Sequence, residues 1–128
     1  MAKSSEDVTK LEFFLAEKGP ILIVNLVGPL LKRNADYAEE CIQAVSASSA
    51  KWVIMNFRDV PPVFDEEICA SIYSSLKKAV WKKAGSIRLS AVHPELRKVL
   101  IKRGLLSEDE VANNLTEALQ KLALTSVA

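Results

Sequence analysis

Val53-Ile54-Met55-Asn56-Phe57-Arg58-Asp59-Val60-Pro61-Pro62-Val63-Phe64-Asp65-Glu66-Glu67-Ile68 reads as a buried strand, a proline loop and a helix opened by three carboxylates. Trp52 to Phe57 has the apolar and aromatic content of a strand, and Pro61-Pro62 lacks the amide donors that a paired central strand would need to continue. Beyond the prolines the period changes. Ile68 or Cys69, Ile72, Leu76 and Ala79-Val80 recur at helical spacing from a start near Asp65. Lys77, Lys78, Lys82 and Lys83 populate the final turns, where cations suit the helix dipole, and Gly85 ends the helix.

Toward the N-terminus, Ile21 to Val27 is almost continuously apolar, as expected of a covered strand, and Gly28-Pro29 ends it. Gly19-Pro20 joins it to an edge strand over Leu11 to Leu15. Asn34 is expected to cap a helix whose stripe is Ala38, Cys41, Ile42 and Val45. Toward the C-terminus, Ile87 to Val92 reads as a strand. Pro94 suits the first position of a helix that turns Leu96, Val99 and Leu100 inward and stops at Gly104. Val111 marks a short edge strand. Asn114 with Glu117 resembles a capping box for a last helix carrying Leu115, Ala118, Leu119 and Leu122. The order β-β-α-β-α-β-α-(β)-α predicts an α/β domain: a mixed sheet of about four to five strands with an N-terminal hairpin and about four helices.

The chain's 128 residues suit one domain. Its 17 basic and 16 acidic side chains nearly cancel, which argues against a dedicated polyanion-binding surface and predicts no specific nucleic-acid partner. The run from Ile21 to Val27 is far short of the roughly 20 apolar residues that span a bilayer, so no membrane insertion is expected. The polar start Met1 to Asp7 lacks the apolar core of a secretory signal, and Cys41 and Cys69 form no redox or metal motif. A cytoplasmic location is the resulting expectation.

The residues at Ile21 to Gly28, Val53 to Val60, Phe64-Asp65, Ser86 to Val92, Pro94 through Leu100 with Gly104-Leu105, and Glu117-Ala118-Leu119 follow one another in an order that resembles the STAS domain. That family includes bacterial anti-sigma factor antagonists and soluble tails of sulfate transporters. The resemblance covers about Ile21 to Leu122 and implies a STAS-like domain over residues 11–124 behind a flexible tail of residues 1–10. It also implies a regulatory protein–protein interaction module rather than an enzyme, acting on transcription through signalling, as a monomer or weak homodimer and without a cofactor.

The departure from the family lies at its switch. Family antagonists typically show Asp-Ser-Ser-Gly-Leu at the start of this helix, with the first hydroxyl phosphorylated by a kinase that doubles as anti-sigma factor. Here the residues are Asp65-Glu66-Glu67-Ile68-Cys69. The helix's apolar positions place Glu66 on the phosphoacceptor; counting from Asp59 places Asp65 there, and counting back from Gly85 places Glu67. None can accept phosphate from a serine kinase. Glutamate offers about one negative charge and two oxygens where phosphoserine offers about 1.5 to 2 and three, so it is a partial mimic. The resemblance thus implies a contact surface of Asp59, Asp65, Glu66 and Glu67 with Ser71, Ser74 and Ser75 on the outward side of the helix. The implied partner is an anti-sigma kinase-like regulator; the alternatives are a transporter or stress-sensing-complex subunit, or a small ligand held between sheet and helices.

Other residues have plainer readings. The acids also suit a helix start by themselves, Asp65 as N-cap and Glu66 and Glu67 against the dipole. His93 precedes a proline and has no nucleophile or ligand set to join, so a capping role is expected. Cys41 and Cys69 fall on inward stripes as buried thiols. The pairs Lys77-Lys78, Lys82-Lys83, Arg97-Lys98 and Lys102-Arg103 read as helix-end charges. Trp52 and Trp81 flank elements and form no stacking platform.

Overall fold

The computed structural model describes residues 10–127, with side chains as far as Leu122; the expected tail lies outside the described residues but for Lys10. Five strands form one sheet: β1 (Glu12–Lys18), β2 (Ile21–Val27), β3 (Trp52–Asp59), β4 (Ser86–Ser90) and β5 (Val111–Ala112). Their order in space is their order in the chain. β1 runs antiparallel to β2 and the remaining pairs are parallel, which is the expected mixed sheet with an opening hairpin. Among the described residues four α-helices flank the sheet, α1 (Ala35–Ala47), α2 (Glu66–Trp81), α3 (Pro94–Lys102) and α4 (Leu115–Val127), with short 3-10 turns at Lys32–Asn34 and Glu108–Glu110.

Strand alternation divides the core. Leu22, Val24 and Leu26 of β2, Val53, Met55 and Phe57 of β3, and Ile87 and Leu89 of β4 share one face. They pack with Ala38, Cys41 and Val45 of α1, Cys69, Tyr73, Leu76 and Val80 of α2, and Leu96 and Leu100 of α3. Ile54 points the other way and meets Ala112 with Ala118 and Leu122 of α4. The ambiguity between Ile68 and Cys69 resolves in favour of Cys69, which is buried while Ile68 is half-buried.

Several local expectations shift. The first strand begins and ends later than Leu11 to Leu15; Leu11 is buried just ahead of it. β4 stops at Ser90 because Ala91 turns to φ 58°, from where its N–H bonds Ala112 O at 3.0 Å. Val99 is half-buried rather than turned inward. Asn34 does precede α1, but its side chain makes no cap bond; it is buried and its Nδ2 donates to Pro29 O at 2.9 Å. The Pro29 carbonyl sits where the chain leaves β2, and Asn34 supplies a donor there. Asn34→Ala should therefore cost about 2 kcal/mol, the penalty of a buried carbonyl losing its donor. A shift in urea midpoint worth under about 0.5 kcal/mol would show that the bond contributes nothing.

Candidate functional site

Two loops leave the C-terminal ends of β2 and β3 and are zipped to each other. Gly28 N donates to Asp59 O at 3.1 Å, Leu30 and Phe64 form a parallel bridge, and Asp65 N donates to Leu30 O at 2.8 Å. The β2–β3 register shifts between Asn25–Asn56 and Val27–Asp59, giving β3 an extra residue just ahead of this corner. Arg58 and Asp59 emerge exposed, with Arg58 Nε 3.8 Å from Asp59 Oδ1. Pro61, Pro62 and Val63 follow, and Val63 is 62% exposed.

Asp65 starts α2 as its sequence predicts. Its Oδ1 accepts from Ile68 N at 3.0 Å, which satisfies one orphan amide of the first turn, and its carbonyl accepts the first intrahelical bond from Cys69 N at 3.0 Å. Glu66 and Glu67 are held by Arg103, just after α3. Arg103 Nε and NH2 donate to Glu66 Oε2 at 3.0 and 2.8 Å, and NH2 also to Glu67 Oε1 at 2.5 Å. The bonds to Glu67 and then Glu66 hold the Arg103 guanidinium above its usual range. Both glutamates are exposed, so the clamp orients these carboxylates and joins two helix ends without adding much stability.

Asp59, Asp65, Glu66 and Glu67 thus gather at one corner of the fold. Ser71, Ser74 and Ser75 lie further along α2; Ser71 is exposed, whereas Ser74 and Ser75 are half-buried and less outward than their spacing suggests. Sequence reasoning missed Val63 and the role of Arg103. An apolar residue between Pro62 and the capping Asp65 was a visible signal for Val63; the reach of Arg103 to α2 depends on tertiary placement. The space among Leu26, Phe57, Cys69, Tyr73, Leu76 and Leu96 measures about 10 Å³, room for at most one water and not for a nucleotide or lipid.

Four other basic or titratable residues make contacts within the fold. His93 Nδ1 accepts from Glu95 N at 3.2 Å and caps α3. Lys77 Nζ donates to Leu105 O at 2.7 Å and Glu110 Oε1 at 3.3 Å, and lies 5.0 Å from the Trp81 ring centre. Lys83 Nζ donates to Val45 O and Ser48 O at 2.8 Å each, which caps the end of α1. Arg97 NH2 donates to Glu108 Oε2 at 2.8 Å.

The family model for the STAS domain matches residues 14–118. The chain belongs to the STAS domain family. Solved structures share its fold at low identity. The Bacillus anti-sigma factor antagonist SpoIIAA, unphosphorylated, is 18% identical at a TM-score of 0.69, over 87% of this chain and 96% of that one. A serine-to-glutamate variant of Moorella thermoacetica RsbS is 16% identical at 0.72, over 91% and 98%. A sulfate transporter family protein from Wolinella succinogenes is 22% identical at 0.71, over 88% and 93%. No curated protein sequence matches the chain. Among the described residues of this STAS chain, no helix is long and apolar enough to cross a membrane.

Proposed function

We propose that this STAS domain is a non-enzymatic regulatory docking module whose contact surface is the corner built by Asp59, Val63, Asp65, Glu66 and Glu67. The observation that carries the reading is the chemistry of the first turn of α2: it holds carboxylates engaged by Ile68 N–H and by Arg103, and no hydroxyl before Ser71. A serine kinase has nothing to modify in that turn. The module therefore works in one charge state, set when the chain is made.

Competition is the mechanism this supports. An exposed apolar tip at Val63 suits a partner with a small apolar pocket, and a domain docked there displaces whatever that regulator otherwise holds, while the fixed charge of Glu66 and Glu67 beside it weakens docking on a regulator that binds an uncharged helix start. An anti-sigma kinase-like regulator is the first partner to test. A transporter or stress-complex subunit is the second, favoured by the Arg103 clamp, which gives the acids a structural use independent of phosphate.

The test compares wild type with a Glu66→Ser, Glu67→Ser variant. Incubation with a kinase-type anti-sigma factor and ATP should label the variant and leave wild type unlabelled. The kinase should also retain the variant more strongly, because the fixed charge opposing it is gone. Equal retention of both forms, with transporter or stress-complex subunits recovered instead from native lysate, would favour the second reading. A wild-type chain that is itself labelled in α2 would end the proposal.

A further inference from the structure

β1 is the outer strand of the sheet and, among the described residues, pairs only with β2. Its middle is apolar and open: Phe14 is 55% and Leu15 44% exposed. Outer strands usually carry charge, proline or a bulge there, because their unpaired amides and carbonyls template further pairing. β1 keeps its charges at its ends, Glu12 at the start and Glu17-Lys18 at the finish.

The hairpin determines which backbone groups are free. Gly19-Pro20 joins Lys18 to its opposite residue Ile21, with Gly19 at φ 58°. A two-residue loop closes on a hydrogen-bonded pair, and such pairs alternate with non-hydrogen-bonded ones along an antiparallel ladder. Lys18, Ala16, Phe14 and Glu12 therefore aim their backbone groups at β2, and Glu17, Leu15 and Phe13 turn theirs outward.

These three outward residues are symmetric about Leu15. We infer that β1 pairs antiparallel with β1 of a second copy of this chain, on a two-fold axis through Leu15, so that two five-stranded sheets become one. Leu15 then faces Leu15, Phe13 faces Glu17, Phe14 faces Ala16 and Glu12 faces Lys18. Each outward residue donates one hydrogen bond and accepts one. The smaller Ala16 leaves room for the Phe14 ring across a closely spaced pair. Charge selects the register. Centring the axis on Phe14 sets Lys18 against Lys10, and centring it on Ala16 sets Glu12 against Pro20; only the Leu15 axis matches Glu12 with Lys18, twice. The corner at the start of α2 lies off the ends of β2 and β3, outside the paired strand.

The experiment is sedimentation equilibrium of the full chain across a concentration series. Wild type should show a reversible monomer–dimer equilibrium in the micromolar range. Lys18→Glu and Glu12→Lys each put two like-charge pairs across the axis and should weaken the dimer about tenfold. The double variant Glu12→Lys, Lys18→Glu should restore it to within about twofold. Leu15→Pro removes an amide that points away from β2, so it should abolish the dimer while far-ultraviolet circular dichroism stays unchanged. Single reversals without effect overturn the pairing, as does a double variant that stays as weak as the singles. A wild type that remains monomeric at every concentration overturns it too, and leaves β1 to a different occupant.

Discussion

Gly28→Ala is expected to destabilise the chain by about 4 kcal/mol, the sum of a strained backbone and a clash that cannot be relieved locally. Gly28 has φ +108°, where an L side chain is strained, and an added Cβ would lie 2.2 Å from Lys10 O and 3.1 Å from Leu11 Cα. Both atoms are backbone, so no rotamer change opens the space. Relief would require the segment entering β1 to back away from the end of β2, exposing Leu11, which is 1% exposed in the fold. The same glycine donates its N–H to Asp59 O, so any shift reaches the corner that carries the acids. Gly19→Ala is the control: its φ of +58° carries a penalty of about 1 kcal/mol, and nothing lies within 4 Å of an added Cβ. Urea unfolding of both variants at unchanged m decides the matter. Equal losses for the two would mean that the close approach of Lys10 has no energetic weight.

The second large effect concerns pH. Burial raises the Cys41 thiol from 9.0 to about 12, and burial raises Cys69 to about 12 with help from the charges of Asp65 and Glu66. Both residues are almost fully buried. The folded values lie above the unfolded ones, so the neutral thiols contribute stability that is complete below pH 9 and is lost as pH rises from 9 toward 12. At pH 10 the unfolded chain gains thiolates that the folded chain does not, a loss of about 3 kcal/mol for the pair. The urea midpoint should fall between pH 8.5 and pH 10, and a Cys41→Ala, Cys69→Ala variant should fall much less over this interval. Parallel curves would show that the thiols do not govern the alkaline limb. The same burial predicts that neither thiol reacts with a water-soluble alkylating reagent at pH 8 until the chain unfolds.

Most of the fold was legible because it rests on period and punctuation. The alternation that buries Val53, Met55 and Phe57 on one face and Ile54 on the other, and the helical recurrence from Cys69 to Val80, are local properties of the chain. Gly-Pro, Pro-Pro and His-Pro steps bounded them. Asp65 was legible as a cap because its partner, Ile68 N–H, is three residues away. What failed to show were side chains that turn away from the helix their position suggests, two of them to partners distant in sequence. Asn34 has the composition of a cap, yet it turns back to Pro29 O, because a buried carbonyl at the end of β2 competes for its amide. Lys83 was read as a charge for its own helix and instead ends α1, reaching carbonyls at Val45 and Ser48. Arg103 read as half of a basic pair, and only the placement of α3 beside α2 makes it the group that positions Glu66 and Glu67.

The strand order β1-β2-β3-β4-β5 has a consequence for how such a chain is made. Each new strand docks beside the one synthesised just before it, so no strand must be threaded between two already joined. Loop-closure cost stays that of a neighbouring segment at every step, and a chain emerging from the ribosome can extend its sheet in the direction of translation. The last strand among the described residues, Val111–Ala112, is also the shortest, so little of the sheet's pairing energy waits on the final docking step.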